Sequence, residues 1–305
     1  ERGKEKDEGR ESKTFKHIRN KERRSLVVQK EKHEARKEKR KLKLKRKREE
    51  ETLGDEAPPK KIPHTIENTR KIPDSVVAEN DSEVFDDEQN DEFASYFRGE
   101  VSPKIIVTTS RKASPNAKQF ACSLEKVFPS CEYYNRRTFT IKEILGFAEN
   151  RGYTDLLVVN ENKKKINRLL HCHLPDGPNI MYRISNIVPG KKIPGHGRAS
   201  GHRPELVLNN FNTQLARHVG RSLACLFPPK PEFKGRRVVT FHNQRDFIFF
   251  RHHRYIFENE EKARLQELGP RFTLKVRTVQ YGRFDPRNQE FEFVYDGKHV
   301  GKSKK

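Results

Sequence analysis

The charges of this 305-residue chain fall into three blocks, and only the last block also carries a regular apolar pattern. Residues 1–50 have a net charge of +11, residues 51–97 a net charge of −9, and residues 98–305 a net charge of +20. A highly charged segment with few apolar residues cannot bury enough surface to fold by itself. The sequence therefore predicts a basic arm over 1–50, an acidic, proline-containing linker over 51–97, and a folded region from about residue 98.

The overall charge indicates a polyanionic partner. The chain has 65 Lys and Arg against 43 Asp and Glu, a formal net charge of +22 and a pI near 9.8. Charge on this scale is typical of nucleic-acid-binding proteins, although charge that serves solubility alone is the alternative. No apolar run approaches the roughly 20 residues of a membrane span, so we expect no membrane contact.

The cysteines give no sign of a metal site. They form no CxxC pair, so the sequence predicts neither zinc binding nor a disulfide framework, and we expect reduced thiols and no cofactor. The four are Cys122, Cys131, Cys172 and Cys225.

The basic arm can form a helix but not a core. Residues 21–51 lack Gly and Pro, which permits a helix. Their few apolar residues make no stripe, so alone in water the arm should be disordered or a fraying helix. The nearly continuous basic run 37–48 indicates a nuclear localisation signal or an RNA-contacting arm, with a solvated helix as the alternative. Its candidate RNA contacts are Lys41, Lys43, Lys45, Arg46 and Arg48.

The acidic linker carries its charge close to the folded region. Residues 74–92 contain nine acidic side chains and no Lys or Arg. We expect a solvated spacer, with docking on a basic surface of this chain or of a partner as the alternative.

Past residue 98, strand and helix patterns alternate. Residues 104–109 and 155–160 are typical of buried strands. Ser114 followed by Pro115 predicts a helix start, and Thr140 with Glu143 has capping-box spacing. Strands that alternate with helices predict an α/β sheet with parallel pairs.

The pattern then repeats. A hairpin over 168–174 and 179–188 is followed by a strand over 205–208 and a helix capped by Asn212 or Thr213. Further strands are predicted over 236–242, 247–257, 272–279 and 291–295. The order of one strand, one helix and then further strands therefore occurs twice, which predicts two related halves, about 98–200 and 201–285. A C-terminal strand and a basic tail are predicted over 286–305.

Four short motifs in order resemble those of the Brix-domain family. His173–Asn179 resembles its HLP-x-GP signature, and Glu267–Leu274 its GPRF element. Two further matches lie between these motifs along the chain. The first is Asn209–Phe211 together with Leu226–Pro228, and the second is Arg237–Phe250. The resemblance runs from about Lys104 to Val279.

The resemblance implies a domain of two similar α/β halves around a shared groove. It implies a non-catalytic assembly factor that binds precursor rRNA in the nucleolus and serves large-subunit maturation and rRNA processing. It also implies a dedicated assembly-factor partner, together with ribosomal proteins and other factors of the pre-ribosome. His173, Pro175, Gly177, Pro178, Gly269 and Pro270 are the motif residues to which it gives a structural role.

The GPRF element offers candidate RNA contacts. Gly269 permits a backbone shape or a close approach that other residues resist, and Pro270 stiffens the turn. Arg271 has a planar donor fork suited to phosphate, with bracing of the fold as an equal alternative. Strand alternation places Phe272, Leu274 and Val276 on one face and Thr273, Lys275 and Arg277 on the other. The second face is a candidate phosphate rail.

Other candidates lie in or beside predicted loops. Residues 247–250 form a continuous aromatic and aliphatic run, which indicates core packing more than base stacking. The basic residues that we expect to contact RNA near this run or near the first hairpin are Arg236, Arg237, Arg245, Lys163, Lys164, Lys191 and Lys192.

An enzyme is not expected. On a strand, His171 and His173 share one face and Cys172 takes the other, and two imidazoles without a clear third ligand make a poor metal site. The sequence has no Walker motif or GxSxG elbow, and no DNA-reading module. Two function classes remain: an RNA-binding assembly factor, and a protein–protein adaptor with little direct RNA affinity.

Overall fold

A computed structural model describes residues 19–53, 63–65, 69, 76–77, 81–259, 262–285 and 290–295. The chain divides into two units, residues 1–71 and residues 72–305. Each unit is described by itself.

The described part of the first unit is mainly one long helix, α1 (Lys21–Leu53). Asn20 begins it, because the Asn20 side-chain oxygen accepts hydrogen bonds from the backbone N–H groups of Glu22 and Arg23. Its leucines, such as Leu26 and Leu42, are exposed. The helix is held by its own backbone and by spaced ion pairs rather than by an apolar face, as its composition predicts.

The second unit combines helices with a large sheet. Its helices are α2 (Ser82–Asn90), α3 (Ala94–Phe97), α4 (Pro115–Glu125), α5 (Ile141–Asn150) and α6 (Gln214–Ala224). Its strands are β1 (Ile105–Thr109), β2 (Cys131–Tyr133), β3 (Asp155–Asn162), β4 (Lys165–His173), β5 (Asn179–Val188), β6 (Glu205–Asn209), β7 (Arg237–Gln244), β8 (Phe247–Asn259), β9 (Lys262–Glu267), β10 (Arg271–Gln280) and β11 (Phe291–Val294).

All eleven strands join one sheet, and the predicted α/β fold class is confirmed. The order is β2-β1-β3-β4-β5-β10-β8-β7-β6, with β9 beside β8 and β11 beside β10. Pairs β1–β2, β1–β3 and β6–β7 are parallel, and each follows a helical crossover. The two strand–helix–strands repeats meet where β5 pairs with β10.

The two faces of the sheet are covered differently. Helices α4 and α6 lie on one face, where Phe120, Leu223, Phe250 and Phe272 belong to the main apolar core. On the opposite face, α5 packs through Leu145 on strands β1, β3 and β4. Further along that second face, strands β4, β5 and β8 present exposed side chains.

The predicted helix starts are confirmed in detail. Ser114 accepts a hydrogen bond from the backbone of Ala117, with Pro115 at the first helical position. Thr140 and Glu143 form the reciprocal capping box. Of the two candidate caps for α6, the side chain of Thr213 makes the bond. These local signals need no tertiary partner, so the sequence alone reveals them.

The interpretation of the acidic segment as a solvated spacer is wrong for its last residues. The side chain of Phe93 is fully buried, and the Tyr96 hydroxyl donates to the carbonyl of Phe227. Glu88 and Asp91 accept hydrogen bonds from arginines of α6. The segment therefore docks on a basic surface of its own chain, which is the alternative that composition alone favours less.

No described helix combines the length and the apolar character needed to cross a bilayer.

Candidate nucleic-acid interface

Three basic side chains form a row across neighbouring strands on the second face of the sheet. Arg168 of β4 lies opposite Arg183 of β5, and Arg183 lies opposite Lys275 of β10. Residues directly opposite in antiparallel pairs have Cβ atoms about 5 Å apart. The three cations therefore follow one another at strand spacing. We call Arg168, Arg183 and Lys275 the cationic row.

The cationic row has no acidic counterpart. Among the described residues, none of its members makes an ion pair with a carboxylate. Like charges directly opposite one another destabilise a sheet. The register thus holds together three cations that repel each other, an arrangement that an external polyanion would stabilise.

Aromatic rings flank one end of the row. The Lys275 ammonium lies 4.6 Å from the ring centroid of Phe247 and 4.3 Å from that of Tyr295. The Arg277 guanidinium lies 4.7 Å from the Tyr295 centroid. Proteins that bind single-stranded nucleic acids typically combine cationic side chains with exposed aromatic rings. The predicted alternation places Phe272 and Leu274 correctly in the core on the other face. Thr273 is buried as well, so the expectation that it belongs to an exposed phosphate rail is wrong.

The hydrophobic run of β8 is split between the two faces. Ile248 and Phe250 are buried in the core, whereas Phe247 is 40% exposed. The expectation that the whole run packs in the core is wrong for Phe247. A strand alternates even where its sequence does not, and Phe247 falls on the face that carries the cationic row.

Arg271 makes a bracing contact. Its Nε and one terminal nitrogen each donate to the Glu267 carboxylate at 2.6 Å. The hydrogen bonds from Arg271 lower the pKa of Glu267. This fork-to-carboxylate pair closes the turn between β9 and β10, so we do not place Arg271 in the candidate interface.

The prediction for Arg237 is corrected by its burial. The residue is 4% exposed, and its guanidinium donates to the carbonyls of Ser200, His202 and Lys126. Its Nε also donates to Nε2 of His252, at 3.3 Å. These donors are used within the fold, so Arg237 joins separate segments of the chain and cannot reach a nucleic acid.

The remaining predicted contacts are exposed but are not members of the cationic row. Arg236 and Arg245 lie before and after β7, and Lys163 lies in the β3–β4 turn. Lys164, Lys191 and Lys192 border a separate cleft of about 1470 Å³ beside α4. In the first unit, Lys41, Lys43, Lys45, Arg46 and Arg48 are exposed along α1.

Two histidines at the end of β4 hold a buried carboxylate, and the second of them, His173, begins the HLP-x-GP signature. Both His171 Nε2 and His173 Nδ1 lie within 2.9 Å of the same oxygen of Asp155. Burial by itself would raise the pKa of Asp155. The hydrogen bonds and charges of the two histidines outweigh burial, so the pKa of Asp155 lies below its usual value. Burial lowers the pKa of His173, and the hydrogen bond and charge of Asp155 more than reverse this.

The Asp155 network joins the two halves of the second unit. His171 Nδ1 lies 3.0 Å from the hydroxyl of Ser222 on α6. This carboxylate–imidazole–hydroxyl line resembles a catalytic triad in order, but its hydroxyl and both other members are buried. A serine that no substrate can reach is a structural group. Among the described residues, no group of three His, Cys, Asp or Glu is placed to hold a metal ion.

Two motif glycines are required by close backbone contacts. Gly177 has a φ of 94°, and a Cβ there would overlap the carbonyl of Gly282. Gly269 has a φ of 69°, and a Cβ there would overlap the backbone of Gly190. These positions confirm the expectation that Gly269 permits a close approach, and they show why the motif turns exclude larger residues. The adjacent prolines, Pro175, Pro178 and Pro270, all follow cis peptide bonds.

Arg168 and Arg183 were missed by the sequence analysis. Each stands alone between uncharged residues in a predicted strand. Only strand alternation could have marked them as surface residues, and only the register shows that they lie opposite one another and beside Lys275.

Comparison with known proteins identifies the family. Residues 110–278, more than half of the chain, match the model of the Brix domain. Ribosome production factor 1 of Pongo abelii is 46% identical over 94% of this chain and 83% of its own length. The mouse protein of that name is 45% identical over the same shares. The probable ribosome production factor 1 of Drosophila melanogaster is 41% identical over 92% of this chain and 71% of its own.

A solved structure of a probable ribosomal biogenesis protein from Aeropyrum pernix K1 aligns with 62% of this chain and 99% of its own, at TM-score 0.43 and 16% identity. The assignment rests on the sequence matches, which are far stronger. On those matches, and with an α/β sheet whose repeats meet at β5 and β10, the chain belongs to the Brix-domain family.

Proposed function

We propose that this chain is a non-catalytic ribosome-assembly factor that binds precursor rRNA of the large subunit in the nucleolus. The second face of the sheet, around Arg168, Arg183 and Lys275, is the proposed RNA contact. The exposed cations of α1 provide a second, sequence-independent contact with the RNA backbone.

The observation that carries the proposal is the cationic row. Several other arginines are paired with carboxylates, as Arg264 is with Glu258 and Arg271 is with Glu267. Here three cations are aligned by strand register without an acidic partner among the described residues. A phosphate backbone supplies negative charge at regular intervals and would remove their mutual repulsion.

The relatives support the cellular setting of the proposal. They are named for ribosome production, a process in which a basic protein meets long precursor RNA. The large subunit, the nucleolus and a dedicated assembly-factor partner follow from the resemblance found in the motifs. Ribosomal proteins and other assembly factors are the further partners that we propose.

A protein–protein adaptor is the second candidate, and one surface favours it. The last part of β8 pairs with β9 in a hairpin. On one face of this hairpin Phe257 and Leu265 are both exposed, and on the other face Ile256 is exposed. Clustered exposed apolar residues are typical of protein-binding sites. The hairpin and the RNA face are separate surfaces, so one molecule could use both.

Crosslinking in cells separates the two candidates. We expect ultraviolet crosslinks between precursor rRNA of the large subunit and peptides that contain Arg168, Arg183 or Lys275. Association with pre-ribosomal particles without such crosslinks would favour the adaptor. The tagged chain with Arg168→Ala and Arg183→Ala is the matched control, because it should keep the particle's protein contacts and lose crosslinks on this face.

A further inference from the structure

A hollow lies on the second face of the sheet beside the cationic row. It has a volume of about 620 Å³ and opens between β4, β5, β10 and β11. Ligand pockets for single small molecules span about 300–1,000 Å³. The hollow is therefore large enough for one nucleotide, and far too small for a base-paired helix.

The lining of the hollow includes both apolar and cationic side chains. Leu170 and Met181 provide an apolar floor, and Phe291, which is 41% exposed, contributes a ring at the rim. Arg168 and Arg183 stand at the same hollow. An apolar floor and an aromatic rim accept the flat face of a base, while the guanidinium groups can hold the phosphate attached to it.

The third arginine is held in place by an aromatic ring. The Arg277 guanidinium lies against Tyr295, whose backbone N–H donates to the carbonyl of Arg277 at 2.7 Å. Both residues line the hollow. Among the described residues, Arg168, Arg183 and Arg277 make no ion pair with a carboxylate, so all three remain available to an anion.

We propose that the hollow receives one unpaired nucleotide of an RNA strand, with its base on the apolar floor and its phosphate on the arginines. In a continuous A-form helix the bases are stacked and inaccessible, whereas unpaired bases can be splayed out and stacked on aromatic side chains. The chain would then prefer RNA with a bulge or an unpaired junction over a continuous duplex. This inference rests on the proposed binding of RNA by the same face.

The test compares three ligands of the full chain. They are an RNA duplex, the same duplex with one bulged 2-aminopurine nucleotide, and free AMP. We expect the bulged duplex to bind at least about fivefold more tightly than the continuous duplex, the size of one base-stacking contact, and we expect 2-aminopurine fluorescence to fall on binding. Free AMP should bind far more weakly than either duplex, because it lacks the extended phosphate backbone.

Two variants test the hollow itself. Phe291→Ala should remove the preference for the bulge and leave the affinity for the continuous duplex unchanged. Val294→Trp, which fills the hollow from its exposed rim, should do the same and covers the case in which Phe291→Ala fails to fold. Phe233→Ala is the control, because Phe233 is an exposed aromatic residue that does not line the hollow.

The results show whether the proposed RNA binding fails or only the proposed nucleotide site in the hollow fails. Failure to bind any RNA would overturn the proposed function and this inference with it. Equal affinity for both duplexes, with unchanged fluorescence, would overturn this inference alone. Free AMP that binds as tightly as the bulged duplex would identify a site for a free nucleotide, and would also overturn the inference that the nucleotide belongs to an RNA strand.

Discussion

The arginines of α6 and those of β4 and β5 lie in the same unit but have opposite surroundings. On α6, Arg221 grips the Asp91 carboxylate with donor–acceptor distances of 2.5 and 2.8 Å, and Arg217 donates to Glu88 at 2.6 Å. On the sheet, Arg168 and Arg183 face one another across β4 and β5. Neither has a carboxylate partner among the described residues.

The comparison shows that basic residues in this chain have two different roles. Where the chain supplies its own anion, as α2 does for α6, arginine fixes the position of a segment. Where strand register places cations side by side without an anion, the fold holds an unfavourable arrangement that a polyanion would reverse. Composition cannot separate the two classes, because both contribute equally to the net charge of +22.

The largest effect is expected at Arg237, the most deeply buried cation of the bracing class. Arg237→Ala would leave three backbone carbonyls without their donor, and we expect the free energy of unfolding to fall by about 4 kcal/mol. Chemical denaturation measures this directly. Arg236→Ala, at the exposed neighbour, is the matched control and should change stability by less than about 0.5 kcal/mol. Equal effects at the two positions would remove Arg237 from the bracing class.

The second-largest effect is expected in the pH dependence of stability, through His252, the hydrogen-bond partner of Arg237. Burial and the charge of Arg237 lower the pKa of His252 to about 4, against an opposing hydrogen bond to the Gly269 carbonyl. An unfolded histidine titrates near 6.5. Between these values the unfolded chain binds more protons, so the free energy of unfolding falls as the pH is lowered from about 6.5 to about 4.

We expect His252 to account for a loss of the order of 3 kcal/mol over that interval. His252→Gln should be less stable than the unmodified chain near neutral pH, and it should lose less stability on acidification. Denaturation curves recorded at several pH values measure the difference. His242→Gln, which changes a histidine on the second face of the sheet, is the control variant. Parallel pH profiles for the unmodified chain and His252→Gln would contradict the expectation.

A smaller effect is expected where the acidic segment docks. Arg221→Ala would leave Asp91 without its fork-like partner at a partly buried site, and we expect a loss of about 2 kcal/mol in the free energy of unfolding. A double-mutant cycle with Asp91→Asn isolates the pair. A coupling energy indistinguishable from zero would mean that the Arg221–Asp91 pair does not hold the segment, which would then depend on Phe93, Tyr96 and the contact between Arg217 and Glu88.

The smallest effect on stability is expected in the cationic row. Arg168→Ala and Arg183→Ala remove two cations that repel each other, so we expect the free energy of unfolding to stay within about 0.5 kcal/mol or to rise slightly. Thermal denaturation of the double variant measures it. A loss of more than about 2 kcal/mol would place these arginines in the bracing class and remove the contrast.

Much of the fold was predictable from the sequence because its signals are local. The caps at Ser114 and Thr140 and the alternation of strand β10 depend only on nearby residues. Strand β9 and helices α2 and α3 were not predicted. Strand β9 is charged and exposed, and it exists because it pairs with β8. The segment around Phe93 is ordered by packing on α6, which no local pattern shows.

The candidate site was predictable only in part. Strand alternation correctly placed Lys275 and Arg277 opposite the core. Arg237 was misjudged, because a cation that is buried by carbonyls from distant loops looks in sequence like any surface arginine. Arg168 and Arg183 were missed, because their significance depends on which strands are neighbours and in what register. Tertiary pairing, rather than residue type, therefore defines this surface.

The salt dependence of RNA binding tests most directly whether the cationic row is the RNA contact. Each phosphate that the protein neutralises steepens the fall of log affinity with log salt concentration by about 0.7 for single strands to 0.9 for duplexes. The matched control is Arg264→Ala with Arg283→Ala. These residues are 72% and 58% exposed but are paired with Glu258 and Glu149, and their removal changes the net charge equally.

We predict that Arg168→Ala with Arg183→Ala lowers the affinity and reduces the slope by about 1.4 to 1.8, while the control pair changes the slope by much less. Equal slopes for the two double variants would contradict the assignment, because net charge alone would then explain the binding and the cationic row would have no special role.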